Sequence, residues 1–299
     1  SRASRNRSVS SGLGHPEVLA DVADAAAVAA AVRGHDAVLH LAAKVDVVGR
    51  WADFARANIT GTRAVLAACR AAGVERLVHV STPSVAHAGS ALVGAPAGVA
   101  DPAGARGHYA RSKAVAERIA LADRGGPAVV AVRPHLVWGP GDTQLVGRIV
   151  ARARSGRLPV VGSGAALIDT TYVSNAVDAL VAALDRAEAA RGQALVVSNG
   201  EPRPVAELLG QICRAAGVGP PRFAVPGALA RTAGAVVEAA WAVVPVLRRA
   251  ADPPMTRFLA EQLSTAHWFD QRHTRDVLGW VPRVDLASGM AALARSFGR

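Results

Sequence analysis

The sequence predicts an α/β fold: a Rossmann-type, doubly wound parallel sheet followed by a smaller, mostly helical region. Three observations carry that prediction. Short apolar runs at 36–43, 76–82 and 127–134 alternate with longer helical stretches. Each run is apolar on consecutive residues rather than alternate ones, as in strands covered on both faces. Strand–helix–strand order over the first half is the order of βαβ units.

Taken in order, residues 1–14 are polar and rich in Gly and Ser, and read as a loop. EVLAD (17–21) reads as a short buried strand. Residues 24–34 read as a helix ending at Gly34, and 36–43 as the next strand. A long helix covers 51–72 and stops at Gly73. The third strand is 76–82, followed by a loop from Pro83 to Gly107 rich in Gly, Ala and Pro. A helix carrying Tyr109 runs to about Asp123, and 127–134 is the fourth strand. Beyond it, helices are expected at 142–156 and 204–217, with 168–187 passing from strand-like to helical and 195–200 strand-like. Residues 227–249 read as an apolar helix holding Trp241. Arg231 and Glu238 interrupt it and Pro245 breaks it, so it falls short of a membrane span. The organisation predicted is a dinucleotide-binding unit at 1–140 and a substrate-binding region at 141–299, partly interleaved with it. No G-x-G-x-x-G or G-x-x-G-x-x-G occurs in the first hundred residues. The sheet is therefore expected to lack the first strand, glycine turn and helix that hold a pyrophosphate, and to begin after that unit.

Composition narrows the function. Of 299 residues, 51% are hydrophobic, 19% charged and only 4% aromatic, which is globular rather than disordered. The net charge of +11 raises nucleic acid as a partner. The arginines are scattered, however, and aromatics for base stacking are few, so no nucleic-acid partner is expected. An anionic small molecule fits better, with peripheral attraction to anionic membranes or to a pathway enzyme as a further expectation. Two cysteines, Cys69 and Cys213, suggest neither disulfides nor a metal site and point to a reducing cytoplasm.

The chemistry centres on His108–Lys113, which reads HYARSK. On a helix, Tyr109 and Lys113 lie on one face a turn apart. A lysine ammonium there can lower a phenol's pKa toward the range of a general acid or base. The chain holds two Tyr and, with Lys44 and Lys113 alone among 34 basic residues, 32 Arg. A lysine kept in such a chain has a task that guanidinium, always protonated and differently shaped, performs badly. A carbonyl reduction would also need a donor to the carbonyl oxygen, and the hydroxyls of Ser81, Thr82 and Ser84 are the candidates.

Read together, six ordered segments resemble the extended short-chain dehydrogenase/reductase family, and within it the 3β-hydroxysteroid dehydrogenase branch. They are HLAA (40–43), NITGT (58–62), VHVSTPSV (78–85), YARSK (109–113), RPHLVWGPGD (133–142) and TTYVSNAVDA (170–179). The resemblance implies an NAD or NADP cofactor, NADP slightly favoured, and a homodimer formed through the helices at 51–72 and 109–123. It implies a catalytic set of Thr82, Tyr109 and Lys113. It assigns cofactor contacts to Asp21, Val22, Ala42, Ala43, Tyr109, Lys113, Pro134, Leu136 and Val137. Arg5 and Arg7 would lie near a ribose 2′-phosphate. Lys44, Asn58, Thr82 and Trp138 are expected beside the substrate, with Lys44 pairing a substrate carboxylate. No metal is implied.

A nucleotide-sugar enzyme would offer an Asn in the stretch occupied here by His135, Leu136, Val137 and Trp138. That stretch and the apolar segments 227–249 and 253–269 suit an acyl chain or sterol, and the resemblance implies a 3-oxo or 3β-hydroxy group on such a lipophilic molecule, a 2-alkyl-3-oxoalkanoic acid or a sterol. The competing readings are a nucleotide-sugar epimerase or dehydratase and a noncatalytic dinucleotide sensor.

Overall fold

The computed structural model describes residues 17–46, 49–86, 90–243 and 263–298, without the side chains of 238–243. Arg5, Arg7, the 1–14 loop, the end of the 227–249 helix, Trp241's surroundings and residues 253–262 lie outside the described residues.

Four parallel strands form the central sheet: β1 (Ala37–His40), β2 (Arg76–Val80), β4 (Ala128–Pro134) and β9 (Ala194–Val197), in the order β1-β2-β4-β9. Side chains alternate across it. Val38, Leu77 and Val129 point to one face, where helices α1 (Ala25–Val32) and α3 (Gly61–Ala72) pack. Val78, Val130, Val132, Leu195 and Val197 point to the other, under α6 (Val173–Asp185) and the residues around α9 (Arg272–Leu278). The catalytic-motif helix α4 (Gly107–Ala122) lies on the α3 side. Both β9 and α6 come from the second half of the chain, so that half enters the main sheet and its cover.

Local chemistry sets the element ends. Asp24 caps α1 by accepting from the Ala26 and Ala27 amides at 3.0 and 3.1 Å. Gly73 ends α3 at φ +70°, a left-handed turn that glycine takes without strain. The long helix expected over 51–72 is three pieces: α2 (Trp51–Phe54), a π-helical turn (Ala55–Thr60) and α3. The helix expected from 142 starts at Val146 as α5 (Val146–Arg154). Asp142 instead folds the approach, accepting from the amides of Gln144 and Val146 at 2.7 and 2.9 Å.

Two expectations fail. EVLAD is not a strand: Val18 and Leu19 are exposed, no described strand pairs with them, and the segment ends in the turn that leads into α1. A strand needs a ladder partner, and β1 has one described neighbour, β2. The 83–107 loop, conversely, contains a strand, β3 (Leu92–Ala95), paired with β12 (His267–Phe269) in a second sheet of order β10-β7-β12-β3. That sheet also holds β7 (Leu167–Ile168) and β10 (Arg203–Pro204). Gly94 allows the pairing, because a Cβ there would come within 3.0 Å of the Trp268 ring.

Short strands β5 (Val137–Trp138) and β8 (Thr171–Tyr172) pair in parallel and lead into the C-terminal core. There α5, α7 (Val205–Ala215) and α10 (Leu286–Ser296) enclose Trp138, Ile149, Tyr172, Leu209 and Leu293. Helix α8 (Gly227–Val243) follows β11 (Phe223–Val225), which pairs with β6 (Pro159–Val161). Among the described residues no helix is long and apolar enough to cross a membrane, and no cluster could hold a metal ion.

Candidate active site

The inward face of α4 carries Tyr109, Lys113 and Glu117 at four-residue spacing. Lys113 Nζ donates to the Val80 carbonyl oxygen at 2.6 Å. One turn on, the Glu117 carboxylate takes the Arg133 guanidinium on two prongs, at 2.8 and 2.5 Å, with both side chains buried. Arg133 also donates to the carbonyls of Ala97 and Gly98. The helix is thus bonded to two adjacent strands, which sets the height of Tyr109 above the sheet's carboxyl edge.

At that edge β2 runs into Ser81 and Thr82. Thr82 Oγ1 lies 3.2 Å from Ser84 Oγ and accepts from the Ser84 amide. Its hydroxyl is also the polar neighbour that acts on the Tyr109 phenol. Thr82, Tyr109 and Lys113 are therefore brought together. Their electrostatics differ from the expected arrangement. Burial pushes the Tyr109 phenol up, and the partner that lowers it is Thr82 rather than Lys113. Burial also brings the Lys113 ammonium down to about 8, against the opposing pull of Glu117. Beneath it, on the α3 side of the sheet, His40 and His79 lie 5.4 Å apart. Burial first, and the Lys113 charge second, lower both, His40 to about 4. His40 Nε2 is 3.0 Å from Thr62 Oγ1.

Asn58 was expected beside the substrate, but the structure commits its amide elsewhere. Nδ2 donates to Ser112 Oγ at 2.8 Å and to the Lys44 carbonyl at 3.1 Å, and Oδ1 accepts from the Lys44 amide at 2.7 Å. Ser112 Oγ in turn donates to the Tyr109 carbonyl at 2.8 Å. Asn58, in the π-helical turn, thus ties the chain leaving β1 to the catalytic helix. The Lys44 ammonium, partly exposed, pairs with Asp46 and lies 5.3 Å from the Phe54 ring centre.

Trp138 is a correction. Its ring is buried in the C-terminal core, edge-on to Tyr172, and its indole N–H donates to Thr170 Oγ1 at 2.9 Å. It faces no cleft. Gly289 comes so close that a Cβ there would sit 2.9 Å from the indole.

The expected cofactor contacts divide. Ala42 is exposed and Ala43 half-buried at the end of β1, and Pro134 ends β4 at the same edge, with Leu136 and the exposed Val137 following it. Asp21 is exposed and held by Arg56 at 2.5 Å, which with the Ala23 amide keeps its carboxyl below the usual range. Val22 packs toward α3, so tightly that a Cβ on Gly61 would meet its Cγ1 at 2.8 Å. The glycine of the NITGT segment is thereby explained by packing. Small residues at the β1 end, with Tyr109 and Lys113 opposite, fit the nicotinamide half of a dinucleotide. No glycine-rich phosphate cradle occurs among the described residues.

Sequence reasoning gave no role to Ser112, Glu117 or Arg133. The signals existed: Ser112 lies inside YARSK, Glu117 follows Lys113 by four, and Arg133 opens the Arg-Pro motif. A second buried network was also missed. His135 Nδ1 meets Asp169 at 2.5 Å, and Asp169 accepts from Ser198 Oγ at 2.6 Å and from the Phe269 amide at 3.1 Å.

The sheet and its edge define a Rossmann-type oxidoreductase of the short-chain dehydrogenase/reductase class, in agreement with what the six segments resembled. More narrowly, the chain matches the 3-beta hydroxysteroid dehydrogenase/isomerase family over residues 3–226 and belongs to it. It is 44% identical over 292 residues to the 2-alkyl-3-oxoalkanoate reductase of Stenotrophomonas maltophilia (strain K279a), covering 95% of this chain and 87% of that protein. It is 37% identical to the protein of the same name from Shewanella oneidensis, covering 95% and 76%. Among solved structures, a double mutant of the dTDP-glucose 4,6-dehydratase DesIV from Streptomyces venezuelae, with NAD and DAU bound, shares the fold. It superposes with a TM-score of 0.69 at 24% identity, over 94% of this chain and 78% of that one. The chain is an NAD(P)-dependent oxidoreductase.

Proposed function

We propose that the enzyme reduces the 3-oxo group of a lipophilic oxo acid, of the 2-alkyl-3-oxoalkanoic class, with NADPH favoured over NADH. The observation that carries this reading is the meeting of Thr82, Tyr109 and Lys113 at the carboxyl edge of the sheet. The relatives named as 2-alkyl-3-oxoalkanoate reductases support the substrate class. When bound, the reduced nicotinamide supplies the hydride to the carbonyl carbon. Tyr109 Oη gives its proton to the carbonyl oxygen, and Thr82 Oγ1 donates a hydrogen bond to the same oxygen as charge develops there. Lys113, held by the Val80 carbonyl, keeps a positive charge beside the phenol and meets the nicotinamide ribose. Asn58 and Ser112 fix the helix that carries both groups.

Lys44 exchanges Asp46 for the substrate carboxylate in this reading. Lys44→Ala should raise KM for a 3-oxo acid about tenfold with kcat little changed, as loss of uniform binding does. An unchanged KM removes Lys44 from the site. The reading places the cofactor unit at 1–140 and the substrate region at 141–299. It includes a cytoplasmic homodimer paired through the helices at 51–72 and 109–123, with peripheral membrane contact.

The test is titration of this chain with NADPH and NADH by nucleotide fluorescence, followed by turnover of a 3-oxo acid. Tighter NADPH binding with turnover is the expected result. Binding without turnover on any 3-oxo acid would favour a sensor, and binding of neither nucleotide would end the reductase reading.

A further inference from the structure

Three charged side chains are buried together beneath α4. Lys113, Glu117 and Arg133 are 2%, 1% and 0% exposed. Two are cations and one is a carboxylate, so a single negative charge serves two positive ones. Taking an ammonium out of water disfavours its charged form, and a buried lysine with no counter-charge gives up its proton at about pH 5–6. The role proposed for Lys113 beside Tyr109 needs the charged form at neutral pH.

The other groups that face Lys113 carry no negative charge. From β2 it meets the Val80 carbonyl at 2.6 Å and the field of His79. From β1 comes His40, whose ring lies 5.4 Å from that of His79 and whose Nε2 is 3.0 Å from Thr62 Oγ1 on α3. Burial lowers both rings, His40 to about 4, so they are neutral imidazoles. On α4 itself Tyr109 stands one turn before Lys113, and burial pushes its phenol up, which keeps it neutral. Glu117 stands one turn after, and its carboxylate is the group that opposes the burial of the ammonium.

The arrangement suits that task. Residues four apart on a helix are neighbours on one face. Arg133 Nε and Nη2 donate to the two Glu117 oxygens at 2.8 and 2.5 Å, while Nη1 donates to the carbonyls of Ala97 and Gly98. The guanidinium thus pins the carboxylate from β4, and two backbone dipoles share the guanidinium charge. For fastening alone, a well-packed apolar pair of similar volume would serve as well, because a buried ion pair is often no more stable than such a replacement. An ion pair placed one turn from the lysine of the reacting group has an electrostatic use that an apolar pair lacks.

We propose that Glu117 is a positioning residue that keeps the charge on Lys113: Arg133 holds its carboxylate one turn beyond the ammonium, and the carboxylate offsets the burial of that ammonium. The functional part of this rests on the reading of the chain as a 3-oxo acid reductase.

The test reads Lys113 directly. The chain has two lysines, Lys44 and Lys113, so protein labelled at lysine Cε gives two NMR resonances, and Lys44→Arg assigns the one that remains to Lys113. The titration midpoint of that resonance is measured in the parent, in Arg133→Met, and in the double variant Glu117→Gln with Arg133→Met, which removes both charges and keeps the bulk. The parent should titrate near pH 8. The double variant should titrate about one unit lower or more, and Arg133→Met, which leaves the carboxylate to Lys113 alone, about one unit higher. A double variant that melts cooperatively but titrates within about 0.3 units of the parent would overturn the proposal. If the double variant does not fold, an unmoved or lower midpoint in Arg133→Met would overturn it. If neither folds, the parent decides: a midpoint at or below about pH 6 would mean that the carboxylate offsets nothing.

Turnover separates this proposal from the reading beneath it, because the midpoint needs no substrate. In active enzyme the alkaline fall of kcat/KM should move down with the midpoint in the double variant. A midpoint that moves while the pH–rate profile stays would remove Lys113 from the chemistry and leave the electrostatic role of Glu117 standing. A parent inactive on every 3-oxo acid would overturn the reductase reading alone. Equal losses of kcat/KM at every pH with an unmoved midpoint would make Glu117 a structural residue and overturn this proposal alone.

Discussion

Two buried carboxylates bond to β4 and the residue just past it, and they are satisfied in different ways. Glu117, on the α4 side, meets a permanent cation, the Arg133 guanidinium, on two prongs. Asp169, beyond the strand's carboxyl end, is closed by a ring nitrogen of His135, the Ser198 hydroxyl and the Phe269 amide. The first network joins one helix to the strand under it. The second gathers three segments distant in sequence and fastens the C-terminal region to the sheet. Chemistry and architecture are thus divided between two networks: Glu117 shares α4 with Tyr109 and Lys113, and Asp169 fastens the C-terminal region.

Substitutions in the two networks should fail differently. Tyr109→Phe removes the proton donor and should lower kcat/KM about a thousandfold, while thermal melts stay near the parent. Retained activity would place the chemistry elsewhere. Glu117→Ala leaves Arg133 charged and buried, and should cost about 3–5 kcal/mol in urea unfolding. A smaller loss would mean that the Ala97 and Gly98 carbonyls alone satisfy the guanidinium.

Acidity probes the same side of the sheet. His40 in the folded state binds its proton only near pH 4, against 6.5 for the free group. Between those values the unfolded chain holds a proton that the native one lacks. Stability therefore rises with pH through this window, and about 3 kcal/mol is lost on acidifying across it. His79, lowered for the same reasons, adds in the same direction. His40→Gln should flatten the urea-derived profile between pH 4 and 6.5. Lys113 gives opposed trends at the alkaline end. Its folded value near 8 lies below the free value of 10.5, so stability climbs between them, whereas kcat/KM should decline above about pH 8 as the ammonium is lost. Parallel trends would detach Lys113 from catalysis. The smallest effect belongs to the Asp169 network. Ser198→Ala should cost about 1–3 kcal/mol with kcat/KM unchanged in enzyme that remains folded.

The Tyr109–Lys113 pair was legible because four-residue spacing on a helix is a one-dimensional signal. Gly73 was legible for a similar reason, since a glycine stop acts within a turn of itself. What the sequence hid depended on distant partners. β3 becomes a strand only because β12, about 170 residues on, lies beside it. Trp138 stood in a motif and looked available to substrate, yet Thr170, Tyr172 and Gly289 enclose it. Asn58 and Ser112 were named or passed over without their bond, because a helix–helix contact across 54 residues leaves no periodic trace.

The double fastening of α4 also bears on how this enzyme is lost and regained. Lys113 is bonded to β2, and Glu117, one turn along, to β4. Tyr109 can be presented only when both strands are aligned beneath the helix. The catalytic helix thus belongs to the same cooperative unit as the sheet. Heat inactivation and global unfolding should follow one curve, and refolding should restore activity no earlier than it restores the β2–β4 pairing.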